Sequence, residues 1–278
     1  MIFGMPAGEL ATVTAVLIAG GLLTGFLAGL LGIGGGGITV PILYELFTLL
    51  GVDDSVRMHM SVATSMAIII PTSARSFALH WKRGGVDMAV LWRLMPWVTA
   101  GVVAGIVVAS RSPGNFLKAV FIASALFMAS RLLFAKEATL ANKKLPGMPW
   151  DALAGLFTGL ISTLMGIGGG AYITAYMRLF GWPIHQAVGT AAGFGPIIAI
   201  PAAIGYIVEG WGLAQLPGLT LGYVSILGVL IVAPLSVLAA PLGVRAAHGL
   251  PRRKLELAFV AFLLLVAARF IVNLKFGI

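Results

Sequence analysis

The sequence predicts an all-α polytopic membrane protein of two inverted repeats, each a glycine-broken helix hairpin followed by three transmembrane helices. Three observations predict it. The 278-residue chain is 59% hydrophobic and only 10% charged, against about 25% charged in ordinary soluble domains, so it has little from which to build a water-facing surface. Apolar runs close to the roughly 20 residues that cross a bilayer recur along its whole length. The first half of the chain is echoed in the second. A transmembrane barrel would need polar–apolar alternation, which these runs lack.

The apolar segments fall at about 10–31, 38–50, 56–80, 88–110, 114–135, 150–166, 171–181, 184–208, 218–243 and 252–274. Polar and Gly/Pro clusters separate them: VDDSVR, HWKRGGVD, SRSPGN, GWPIH, VEGWG and RAAHGLPRRK. The longest polar stretch, KEATLANKKLPGMP, lies at mid-chain. It divides an N-terminal repeat, 1–135, from a C-terminal one, 150–278, with 136–149 as a cytoplasmic linker. MIFGMPAGELATV carries no Lys or Arg ahead of the first apolar run. It lacks the basic start of a signal peptide, so the first segment is expected to be retained.

The repeat is specific. TGFLAGLLGIGGGGITVPIL is answered by TGLISTLMGIGGGAYITAYM, with Gly32–Gly36 matching Gly166–Gly170 at an offset of about 134. HMSVATS from His59 is answered by HQAVGTA from His185, and the halves close on FLKAVFIASALFMASRLLF and KLELAFVAFLLLVAARFIV. A two-part internal repeat is a common plan for secondary transporters.

The segments after each glycine run, 38–50 and 171–181, are too short to span. Thirteen helical residues reach about 20 Å of a roughly 30 Å core. Each either extends the preceding segment through one bent crossing or turns back. Charge favours turning back. One side then collects twelve Lys and Arg, among them Lys82, Arg83, Arg93, Arg131, Arg178 and Arg252, and the other only Arg57, Arg111, Lys118 and Lys275. A continuing chain would make the two sides nearly equal. By the positive-inside rule the rich side is cytoplasmic and both termini lie outside, in the cell inner membrane. A hairpin plus three crossings is an odd number, so the halves come out inverted.

These residues resemble the TauE/SafE family, the sulfite and organosulfonate exporters also called the toluene-sulfonate uptake permease family. The resemblance rests on the paired GIGGG motifs, the stretches VATS and AVGT, and PLGVRAAHGLPRRKL before the last span. It covers about residues 10–273. It implies transport of small sulfur-containing or carboxylated anions, often export, coupled to protons or sodium. The chain departs from the pattern at Ala175, where the second motif lacks a counterpart to Pro41.

The physical reading of the motifs is compatible. A glycine run ahead of a half-helix leaves backbone N–H groups without partners, each worth several kcal/mol if unsatisfied in lipid. Such groups, with the positive end of the helix dipole, hold anions. The expected substrate site is Gly34, Gly35, Gly36, Gly37 and Thr39 facing Gly168, Gly169 and Gly170, with Thr64, Ser65 and Thr190 from the next helix of each half. The alternative is that the glycines serve only close helix packing. Glu45, His59, Arg75 and His185 are the candidates for ion coupling or gating: intramembrane carboxylates and histidines carry protons, and intramembrane charges mark pathways. Trp81, Trp92, Trp97, Trp150, Trp182 and Trp211, near segment ends, read as an aromatic belt, and Asp87, Asp151, Glu209 and Glu256 as interfacial.

Other classes fit less well. Without cysteine there are no disulfides, thiolate metal sites or cysteine nucleophiles. The four histidines show no HExxH-like spacing, so an enzyme is not expected, nor a metal or cofactor. The net charge of +9 records membrane orientation rather than nucleic-acid binding. A passive anion channel and a carrier of small carboxylates remain the alternatives to a sulfur-anion carrier. The expected partners are a small anion, a coupling proton or sodium ion and the bilayer; the oligomeric state is not legible.

Overall fold

The computed structural model describes residues 7–31, 36–134, 144–248 and 252–276. Among them are ten helices: α1 (Ala7–Leu31), α2 (Gly36–Leu49), α3 (Asp54–Lys82), α4 (Met88–Ser110), α5 (Gly114–Phe134), α6 (Trp150–Met165), α7 (Gly170–Leu179), α8 (Ile184–Glu209), α9 (Ile226–His248) and α10 (Arg252–Phe276). Six of them, α3, α4, α5, α8, α9 and α10, contain stretches long and apolar enough to cross a membrane. The mid-chain linker lies largely outside the described residues.

The chain reverses between α1 and α2 and again between α6 and α7. Ile42 touches Gly20: a Cβ on Gly20 would stand 2.8 Å from Ile42 Cγ2. Gly20 lies 11 residues before the end of α1 and Ile42 six after the start of α2. Those are about 16 and 9 Å of helix, so only a fold-back brings the two together. In the second half, Tyr176 Oη donates to Asp151 Oδ1 at 2.6 Å, although Asp151 lies 14 residues before the end of α6. Tyr172 and Phe157 meet edge to face at 5.7 Å beside the same break.

The helix pairing is exchanged when the halves are exchanged. α1 packs along α9 as α6 packs along α4, and α2 lies on α3 as α7 lies on α8. Two further contacts join like with like. α3 crosses α8 with Ser73 against Gly195, Phe77 against Gly193 and His80 against Gly189, so these two run antiparallel. α5 and α10 also run antiparallel, through Lys118–Asn273 (2.8 Å), the Phe121–Phe270 rings (5.3 Å) and Arg253–Leu132 (3.1 Å).

Small residues let the backbones approach. On α4 and α6, Gly101 rests on the Leu156 carbonyl and Gly159 on the Val98 carbonyl; on α1, Gly25 rests on the backbone of Ser236 in α9. In lipid, where tails are as apolar as side chains, such close packing is a main source of association.

One segment differs from expectation. The apolar run from 218 does not open as helix: Thr220–Leu221 (β1) and Val224–Ser225 (β2) form a short antiparallel hairpin, and α9 starts at Ile226. Gly222 takes φ +53° at the turn and packs on the Ile207 backbone, where a side chain has no room.

The chain has no cysteine of its own, so the reversal is directly testable. Gly20→Cys with Ile42→Cys is expected to oxidise to a disulfide, whose Cβ atoms need about 3.5–4.5 Å. Both thiols should then be protected from maleimide. Free labelling of both would mean that α2 leads away from α1.

Candidate functional site

The second glycine motif shows how a break in an apolar helix is managed. α6 ends where Gly166 turns left-handed (φ +73°), and the N–H groups of Gly166 and Ile167 both donate to the Ser162 carbonyl. Gly169, again left-handed (φ +70°), opens α7, and its carbonyl accepts from Tyr172 and Ile173 at 3.1 Å. Any other residue would be strained at these two positions. Ser65 of α3 donates to the Gly166 carbonyl at 2.8 Å, bracing the motif from the other half.

What stays open is the start of α7. The backbone N–H groups of Gly168, Gly169, Gly170 and Ala171 have no acceptor among the described residues. Ser162 is fully buried, and its Oγ also lacks a partner. That oxygen stands 3.3 Å from where a Cβ on Gly169 would be. A Cβ on Gly170 would meet nothing within 4 Å, so there is room at the helix start. Val40 and Val62 pack on Gly166, Ile69 on Gly168, and Thr158 and Ile198 on Gly169. A helix N-terminus with four unpaired N–H groups, a free hydroxyl and apolar walls has the make-up of an anion site.

Of the first motif, Gly34 and Gly35 lie outside the described residues. Gly36 opens α2, a Cβ on Gly37 would again meet open space, and Thr39 is buried. The structure brings Ser65 to the second motif but gives the two threonines another task. Thr64 Oγ1 accepts from the Ser225 N–H at 2.9 Å, just ahead of α9. Thr190 Oγ1 accepts from the Asp87 N–H at 2.8 Å, just ahead of α4, and donates to the Gln186 carbonyl. Each half thus pins the start of a helix in the other.

The four coupling candidates are dispersed. His59 is buried on α3, with Nε2 3.3 Å from the Ala109 carbonyl and its ring stacked on Tyr223 at 5.1 Å. His185 and Arg75 are exposed. Glu45 is held by Arg269 of α10, Oε1 to Nε at 2.9 Å and Oε2 to Nη2 at 3.3 Å, with both side chains about 40% exposed.

Several partners escape a reading of the sequence. Lys118, taken there as an external surface charge, is fully buried; its Nζ meets Asp54 (3.1 Å), Asn115 (3.3 Å) and Asn273 (2.8 Å). Asp151, read as interfacial, is buried between Arg93 and Tyr176. Trp182, assigned to the belt, is buried and donates to Asp87 Oδ2 at 2.9 Å. Trp81, Trp92, Trp150 and Trp211 are exposed, as belt residues are. Ser162 carried one legible signal: it lies one helical turn before Gly166, on the face that reaches the break.

The family profile described as "Sulfite exporter TauE/SafE" matches residues 17–270. The chain belongs to this family. It is similar to a "Probable membrane transporter protein" of Haemophilus influenzae, 32% identical over 89% of this chain and 94% of that one. A probable membrane transporter protein of Methanocaldococcus jannaschii is 28% identical over 92% and 94%, and one of Bacillus subtilis 26% over 68% and 77%. No solved structure matches. As a TauE/SafE member with six candidate spans, the chain is a multi-pass membrane transporter.

Two substitutions test the braces of this TauE/SafE chain. Glu45→Gln removes the charge that faces Arg269 and is expected to lower the melting temperature, with Glu45→Gln/Arg269→Met recovering part of the loss; thermal unfolding in nanodiscs reads both. Thr190→Val orphans the Asp87 N–H and is expected to lose about 1–3 kcal/mol by the same measurement.

Proposed function

We propose that this TauE/SafE chain is a secondary transporter that moves a small sulfur oxyanion, sulfite or an organosulfonate, across the cell inner membrane by alternating access, as ion-coupled export. The halves are inverted in the membrane and both termini lie outside. The observation that carries the reading is the start of α7: four unpaired backbone N–H groups and the unpartnered Ser162 hydroxyl around open space. The family name supports the sulfur anion. The antiparallel α3–α8 and α5–α10 contacts support the inversion.

The same geometry favours turnover. Neutral donors at a helix start contribute about 0.3–1 kcal/mol each way through the dipole, and up to ~2 when partly buried. That suffices to hold an anion without trapping it. In this proposal Thr64 and Thr190 are hinge points where one half grips the other, and Ser65 keeps the site's shape. Among the coupling candidates His59 fits best, since it is buried on α3 against Tyr223 of the hairpin that Thr64 anchors.

Gly170→Val tests the site without forcing a clash, because its side chain enters the open space and tilts toward the helix start. In proteoliposomes it is expected to abolish sulfite flux while the protein keeps its wild-type elution and melting temperature. Counterflow separates carrier from channel: labelled sulfite should accumulate against unlabelled in a saturable way. Undiminished flux in Gly170→Val would remove the site from this helix start.

A further inference from the structure

We infer that the groove between α1, α2 and α10 binds one phospholipid with a primary-amine headgroup, of the phosphatidylethanolamine type. The inference is independent of the anion site. The groove has a volume of about 340 Å³, and Ala19, Gly20 and Leu23 of α1, Ile42 of α2, and Phe262 and Leu265 of α10 are among the apolar residues that line it. Ile42 seated on Gly20 makes its floor. Leu23 and Leu265 are exposed on its rims, so it opens toward lipid. Among the described residues, the ionisable groups that line it are Glu45 and Arg269 alone. They pair at 2.9 Å, and about 40% of each side chain stays accessible.

Depth limits what can fill the groove. Glu45 lies four residues before the end of α2 and Arg269 seven before the end of α10, about 6 and 10 Å of helix. Those two ends lie on one side of the membrane, because Lys118 bonds both Asp54, just past α2, and Asn273, near the end of α10. The ion pair therefore sits where headgroups give way to hydrocarbon. Ile42, Phe262 and Leu265 lie further from those ends, along the path of an acyl chain. Charges that face hydrocarbon are costly, and a polar headgroup at this depth relieves them.

Charge then selects the headgroup. A lipid phosphate suits the planar guanidinium of Arg269, but the Glu45 carboxylate beside it repels an anion. A headgroup with an ammonium two carbons from its phosphate answers both. The ammonium donates to Glu45 and the phosphate accepts from Arg269, so that four charges alternate in sign. Phosphatidylglycerol offers Glu45 no cation. The methylated ammonium of phosphatidylcholine has no N–H to donate.

Native mass spectrometry of the purified, delipidated full chain tests this, with phosphatidylethanolamine, phosphatidylcholine and phosphatidylglycerol of identical acyl chains. One phosphatidylethanolamine per chain is expected to be retained, at least about fivefold more tightly than either of the others. Glu45→Gln, measured below its melting temperature, should erase the preference over phosphatidylcholine. Ala19→Trp puts bulk at an exposed position of the groove. It should remove the tightly held lipid while the melting temperature in detergent stays at the wild-type value. Equal retention of the three lipids, or tighter phosphatidylglycerol, would overturn the inference. So would a preference for phosphatidylethanolamine that survives both variants, since the lipid would then sit elsewhere. A lipid-free dimer that Ala19→Trp dissociates would make a second copy the occupant and overturn it equally. Each of these outcomes leaves the anion reading standing.

Discussion

A backbone polar group in apolar surroundings must find a partner, and the architecture follows from meeting that demand at two broken helices. A continuous helix meets it internally; one interrupted by GIGGG does not. In the second half the repair is visible in detail. The Ser162 carbonyl takes two N–H groups, the Gly169 carbonyl two more, and Ser65 reaches across from α3 to the Gly166 carbonyl. The N–H groups that open α7 find no acceptor among the described residues, and unpaired donors at a helix start are what an anion takes up.

The same demand ties the halves together. The helices α4 and α9 each begin after a loop, and each first N–H needs an acceptor. It comes from a threonine at the same place in the repeat, Thr190 for the Asp87 N–H and Thr64 for the Ser225 N–H, and in both cases from the opposite half. Because α3 and α8 also cross antiparallel on small residues, the two halves share one axis of contact with a reciprocal latch on either side of it. In the proposed transporter, this reciprocal latch is where one half would move against the other.

Much of this was legible in the sequence because it is local or repeated. Hydrophobic runs fixed nine of the ten helix starts to within a few residues, and the asymmetry of Lys and Arg pointed to hairpins that the Gly20–Ile42 and Asp151–Tyr176 contacts display. The exception at 218–225 is a turn driven by Gly222 against Ile207, a contact between helix and loop that no apolar count registers. Partnerships were not legible. Glu45 and Arg269 are 224 positions apart, and Lys118 and Asn273 are 155 apart. The structure supplies the partners that the sequence does not show: Arg269 for Glu45, and Asp54 and Asn273 for Lys118.

The halves are matched in fold but not in chemistry, and the difference bears on how the site works. Ser65 braces the second motif, whereas its repeat counterpart is Ala191; Ser162 faces the start of α7, whereas its counterpart at the same offset is Ala28. Both hydroxyls therefore converge on one hairpin. Meanwhile Asp54, Asp151 and Glu45 are each neutralised by a basic partner at or near a helix end. In the proposed carrier, that pairing would keep these carboxylates from repelling an anion and their cations from capturing it. In that carrier the paired halves would supply the motion and a small asymmetric set of neutral donors the affinity. Affinity drawn from dipoles alone stays modest, and an anion that is held modestly can be released when the scaffold moves.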